Sequence, residues 1–251
     1  MFGNSGLCGW IWVVPAIWLS LCAGCASHEP SDGLDRTLRI VDVAPRPDEG
    51  LLPLNPRVEI YFNRYLDTEA LTYFNAISVD SGGVRAWERA VYRLSSKRAT
   101  VVVRADLEPG LYYDITLNPE VLFSVEGYPF AGPASIRFEV GQEAVSHPPA
   151  PVPTWNDVAP ILAPCHECHD DPEAFLPQLR PAGMVGVASL QEPSLWLVRP
   201  GDASTSYLMH KILPDYPFRE GTSQPPAWAG LEPLTVEEIE VVERWIEGGA
   251  L

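Results

Sequence analysis

Between residues 36 and 142 apolar and polar positions alternate with a period of two, segment after segment. In Arg57-Val58-Glu59-Ile60-Tyr61-Phe62-Asn63 the apolar Val58, Ile60 and Phe62 fall on one face, with Glu59 and Tyr61 on the other. Similar short strands are predicted at 37–43, 74–80, 88–95, 99–105, 112–118 and 135–140. Pro45 and Pro47, Ser81-Gly82-Gly83, Pro109-Gly110 and Gly132-Pro133 separate them with turn chemistry. Seven short strands with regular turns in about a hundred residues predict a two-layer antiparallel sandwich.

Beyond residue 154 the period lengthens to that of a helix. Trp155, Val158 and Ile161 or Leu162 share a face, and Thr154 or Asn156 can cap the first turn. Near the other end Thr235-Val236-Glu237-Glu238 is a capping box, followed by Ile239, Val242, Trp245 and Ile246 on one face and closed by Gly248-Gly249. Between the two patterns, residues 143–153 form a linker. Its Ser146-His147-Pro148-Pro149-Ala150-Pro151-Val152-Pro153 is proline-dense and predicts a semi-rigid extended spacer. The expected fold is therefore multidomain, an all-β sandwich followed by an all-α domain at 154–251.

The first residues are read as an address rather than a fold. From Met1 to Ser27 there is no Asp, Glu, Lys or Arg, and Leu7 to Leu21 is apolar apart from Gly9 and Ser20. Pro15 and the shortness of the run favour a cleaved signal at 1–24 over an uncleaved membrane anchor. Residues 25–35 are then a tether, and everything that follows lies outside the cytoplasm.

Composition adds two exclusions. The 251 residues carry 33 acidic and 17 basic side chains, a net charge of −16, which excludes nucleic acid and anionic lipid headgroups as natural partners. The charge is uneven: residues 29–143 hold 18 acids against 12 bases, whereas residues 144–251 hold 15 against 5. A basic redox partner could dock on such a surface by charge, and a simply solvated acidic face is the more ordinary reading. The five cysteines fall in two groups, Cys8, Cys22 and Cys25, then Cys165 and Cys168, and none lies in the sandwich, so a core disulfide is excluded there.

Chemistry concentrates in Cys165-His166-Glu167-Cys168-His169. This C-x-x-C-H is the mark of covalent c-type haem attachment. Two thioethers from Cys165 and Cys168 would fix the porphyrin edge, and His169 is placed to ligate the iron. A thiol redox pair, a structural disulfide and half of a zinc site recruiting His166 and His210 are the other readings. No further cysteine follows Cys168, which leaves the zinc reading short of ligands. In the sandwich, Asp67 and Glu69 could suggest calcium, but two acids near a turn are read as solvated, and no site is assigned to that domain.

Three resemblances extend this reading. Leu21-Cys22-Ala23-Gly24-Cys25 resembles a bacterial lipobox. It implies lipidation of Cys25 as the mature N-terminus, with Ala26-Ser27 directing the protein to the outer membrane. Val43-Ala44-Pro45, residues 55–67 and residues 107–117 resemble the bacterial Ig-like domains of surface proteins, which implies a spacer or adhesion module at 36–142. Residues 154–251 resemble a bacterial cytochrome c-like domain of exported, often lipid-anchored proteins. That likeness rests on residues 158–162, 185–189, 197–202 and 206–211, and on 234–250.

The cytochrome c resemblance implies one covalent haem c, extracytoplasmic electron transfer to an unidentified redox partner protein, and no catalytic residues. It also implies two helices crossing behind the haem, and a methionine as distal iron ligand. Gln224 stands where that methionine is usual. Met184, Met209 and His210 are the alternatives, and His210 is the one distal base if the iron served a peroxidase-like or gas-binding role. A structural or adhesion lipoprotein with a degenerate haem domain is the third class.

Overall fold

The computed structural model describes residues 35–73, 75–86, 88–103, 107–170 and 176–251; the expected signal at 1–24, the lipobox-like stretch and Cys25 lie outside the described residues. Eight strands occur among the described residues: β1 (Ile40–Ala44), β2 (Arg57–Phe62), β3 (Ile77–Ser81), β4 (Val84–Ala86), β5 (Glu88–Arg93), β6 (Arg98–Val103), β7 (Tyr112–Leu117) and β8 (Ser135–Glu139). They form two antiparallel sheets, ordered β1-β2-β6-β5 and β4-β3-β7-β8.

The alternation explains the layering. Val58, Ile60 and Phe62 of β2, with Ala99, Val101 and Val103 of β6, are buried on the inner side of one sheet. Val79, Ile115, Leu117 and Phe138 do the same for the other. Burying whole apolar faces between two sheets is what makes such a period-two pattern fold as a sandwich. One strand was not expected. β4 pairs with β3 through the two-residue turn Gly82-Gly83, both at positive φ (57° and 85°), the left-handed region that favours glycine. At three residues β4 is too short for alternation to reveal it.

The second region is a small helical array: α1 (Trp155–Leu162), α2 (His166–His169), α3 (Pro181–Met184), α4 (Tyr207–Ile212) and α5 (Val236–Glu247). Thr154 caps α1 in a reciprocal box with Asp157, and Thr235 caps α5 in one with Glu238. The two helices meet, and the rings of Trp155 and Trp245 lie 5.5 Å apart. Between α3 and α4, residues 185–198 fold back in a loose ladder, with Val185 bridged to Val198 and Ala188 to Trp196.

Arg36–Leu251 forms one compact unit. Residues 143–154 contain neither helix nor strand, and the chain there is pinned at both ends. Asn55 exchanges two hydrogen bonds with Val145, Arg57 donates to the His147 carbonyl, and Arg244 of α5 donates to that of Pro151.

The helical region closes on the turn between β5 and β6. Three glutamates of α5 at i, i+3 and i+7 face it: Glu240 pairs with Arg98, Glu247 with Arg93, and Glu243 accepts the backbone N–H groups of Leu94 and Ser95. Nearby, Asp215 accepts the Tyr65 hydroxyl at 2.6 Å and the Lys97 ammonium, while Tyr216 packs edge-on against Tyr65 at 5.0 Å.

Candidate functional site

The capping box starts α1 at Trp155, and the chain stays helical almost without a break to His169. α1 runs into a 3-10 turn at Ala163–Cys165 and then into α2. Val158 and Leu162 anchor this run in the core. Cys165, Cys168 and His169 are thereby spaced i, i+3 and i+4, so all three lie on one helical face. Cys165 is half-buried against the apolar core and Cys168 is exposed.

His169 is oriented by its surroundings. Its Nδ1 lies 2.8 Å from the Pro177 carbonyl oxygen. A carbonyl can only accept, so Nδ1 carries the proton and Nε2 keeps its lone pair for a ligand-binding role. Locking one imidazole nitrogen so that the other is presented is how metal-ligating histidines are held. His166 is turned elsewhere, its Nδ1 being 2.9 Å from the Asp170 carboxylate at the surface.

The alternative readings of the motif fare differently. Both cysteines are free thiols, so no disulfide joins them. Burial, with Cys168 beside it, pushes the Cys165 thiol up from its ordinary value. A reactive thiol pair needs the opposite shift, since the thiolate is the nucleophile. Among the described residues no three His, Cys, Asp or Glu side chains converge on a metal-sized point, which leaves the zinc reading without a cage. The donor set suits covalent haem attachment: two free thiols and one presented imidazole nitrogen on a single face.

The other predicted residues are dispersed. Met184 and Met209 are core residues. His210 lies buried on α4 and donates from Nε2 to the Ser204 carbonyl. Gln224 is half-buried, with its backbone N–H on the Lys211 carbonyl at 2.7 Å. Asp67 caps a 3-10 turn by accepting the Glu69 N–H, an ordinary structural use.

The Pro177 carbonyl was not legible beforehand, because a backbone acceptor leaves no residue-type signal. Glu243 was legible and overlooked. It sits four residues after Ile239 and three before Ile246, so the helical period already placed an acid on the apolar stripe.

Comparison with known proteins defines the class of the first region. Residues 35–140 match the bacterial Ig-like domain family, and the sandwich is a domain of that kind. No curated protein matches the chain.

Solved structures similar to it include the surface-layer protein SbsC, at 16% identity and a TM-score of 0.32 over 42% of this chain. CopC from Methylosinus trichosporium OB3b shows 19% identity and a TM-score of 0.33, over 44% of this chain and 99% of that one. PcoC, a copper resistance protein from Escherichia coli, shows 14% identity and a TM-score of 0.31, over 40% of this chain and 97% of that one. The chain spans 14% of the length of the surface-layer structure it matches.

Proposed function

We propose that this protein is an exported lipoprotein that carries one covalent haem c and moves electrons outside the cytoplasm. The observation that carries the reading is the shared helical face of Cys165, Cys168 and His169, with the His169 tautomer set by the Pro177 carbonyl. In this reading Cys165 and Cys168 hold the porphyrin edge, and His169 Nε2 is the proximal nitrogen. Haem iron, when bound, supplies reversible one-electron chemistry. The chain's own residues attach and orient it.

Cys25 carries the lipid and ties the chain to the outer membrane. In the chain the Ig-like domain follows that tether and precedes the helical region. Because the helical region packs on the β5–β6 turn, the haem region and the Ig-like domain would present themselves to a redox partner as one body. The excess of acids beyond residue 144 favours a basic partner.

The test is an optical spectrum of the matured, exported protein in both redox states. A Soret band that survives acid-acetone extraction supports the reading, and its absence from a properly matured sample sinks it. The match of residues 35–140 to the Ig-like family favours a second reading, a structural or adhesion module whose helical region is redox-inert. Potentiometric titration separates the two, since an electron carrier is reduced reversibly and exchanges with a partner.

A further inference from the structure

A buried phenol meets a carboxylate where the helical region closes on the sandwich. Tyr65 is 3% exposed, and its hydroxyl donates to Asp215 Oδ1 at 2.6 Å. Lys97 donates to the other oxygen of that carboxylate, and its ammonium also sits 4.6 Å from the centre of the Tyr65 ring. Burial pushes the Asp215 carboxyl up, but the bonds from Lys97 and Tyr65 outweigh it and keep the group an ionised acceptor. Burial and Asp215 together push the Tyr65 hydroxyl well above the ordinary phenol value, so its proton does not leave by simple ionisation.

A line of rings leads away from Tyr65. Tyr216 packs edge-on at 5.0 Å, His210 stacks on Tyr216 at 4.2 Å, and Tyr207 lies edge-on to His210 at 6.0 Å. Tyr207 in turn lines a cleft with the exposed Phe218. Taking an electron from a ring in this line leaves a buried positive charge, which is costly unless a proton leaves as well. The ammonium of Lys97 over the Tyr65 ring raises that cost by like-charge repulsion. Only Tyr65 has a carboxylate to receive the proton. His210 donates to the Ser204 carbonyl, and Tyr207 to the Gln191 amide and the Glu220 carbonyl. Tyr216 makes no hydrogen bond to a base among the described residues. The other buried ring pair, Trp155 and Trp245, offers the Trp245 N–H only the Leu251 carbonyl.

We propose that Tyr65 is a redox-active tyrosine, oxidised through this line of rings while Asp215 takes its proton. The Tyr65 O–H bond breaks, an O–H bond forms at Asp215 Oδ1, and the electron passes to a one-electron oxidant of the high-potential metal-complex class. That oxidant is reduced by one electron, and a neutral phenoxyl radical remains. A one-electron donor restores the phenol, with the same proton returning from Asp215. The site needs no haem, so it stands apart from the reading above.

Tris(bipyridine)ruthenium, photo-oxidised by a flash in the presence of the full chain, tests it by electron paramagnetic resonance on rapidly frozen samples. The wild type gives a tyrosyl signal that narrows when the tyrosines are ring-deuterated. It also shows a coupling to an exchangeable proton, the one held by Asp215, that vanishes in deuterium oxide. Tyr65→Phe keeps the ring and loses the signal. Tyr61→Phe removes the phenol bonded to Glu59 at 2.7 Å and leaves the signal in place. Asp215→Asn lowers the radical yield at least about tenfold, as loss of a positioned base does. An unchanged signal in Tyr65→Phe, a wild-type yield in Asp215→Asn, or a radical confined to tryptophan overturns the proposal. Absence of the exchangeable coupling in the wild type overturns it without recourse to any variant.

Discussion

Glu243 accepts the backbone N–H of Leu94 at 2.7 Å across 149 residues of chain, and the same carboxylate takes the N–H of Ser95 at 3.1 Å. One buried side chain of the C-terminal helix thus satisfies two donors at a turn of the sandwich. Removing it strands both donors in the interface. Glu243→Ala should lower the unfolding free energy by about 3 kcal/mol, from two buried groups at roughly 1–3 kcal/mol each. Glu237, exposed in the first turn of α5, is the control, and its replacement by alanine should change stability by less than about 0.5 kcal/mol. Urea unfolding of the two variants decides; equal stability would remove Glu243 from the interface.

Two acids of this interface, Glu243 and Asp215, respond to pH with opposite signs. Burial pushes the Glu243 carboxyl up, and the bonds from Ser95 and Leu94 offset this only in part. Its native form therefore binds a proton more tightly than its unfolded form. The stability this contributes is complete below the ordinary carboxylate range and is lost as pH rises through the native value. Burial also pushes Asp215 up, but the bonds from Lys97 and Tyr65 outweigh it and hold the carboxyl low. Its contribution is present above the ordinary range and is lost as pH falls through the depressed value. Glu243→Gln should therefore flatten stability on the neutral side of the carboxylate range, and Asp215→Asn on the acid side. Unfolding curves from pH 3 to 7 check this, and matching profiles for both variants would contradict it.

All the strands but β4 were legible because a sheet buried on one face writes its period directly into the sequence, as Val58, Ile60 and Phe62 show. Both capped helices were legible for the same reason, from Thr154 and from Thr235 with Glu238. The shared face of Cys165, Cys168 and His169 was visible as spacing. What stayed hidden depends on long-range pairing. Nothing local to Asp215 announces that Tyr65 lies 150 residues away with its hydroxyl aimed at it. Nothing local to His169 announces the Pro177 carbonyl either, because that contact uses backbone alone.

The haem reading makes a prediction at the motif itself. Replacing both Cys165 and Cys168 by alanine should abolish haem that survives denaturing electrophoresis. Either single replacement should leave one thioether and a lowered yield. His169→Ala should keep the covalent attachment but lose the spectrum of a nitrogen-ligated iron, because the thiols and not the imidazole form the carbon–sulfur bonds. Covalent haem in the double variant would show that the attachment lies elsewhere.

The last prediction concerns the sixth position on the iron, and it rests on the cytochrome c resemblance. Gln224 stands where that likeness places a methionine, and both methionines of the helical region, Met184 and Met209, are core residues. A neutral amide is a weak iron ligand but a good hydrogen-bond partner for water or a small molecule on that side, which leaves the position open. The ferrous protein should therefore bind carbon monoxide quickly and completely. Gln224→Met should create a sulfur-to-iron charge-transfer band in the ferric near-infrared and raise the reduction potential, since a thioether ligand favours the reduced state. A band already present in the wild type and lost in Met209→Ala would make Met209 the ligand. If Gln224→Met changes neither band nor potential, Gln224 does not face the iron, and the loop before α5 aligns differently from the resemblance.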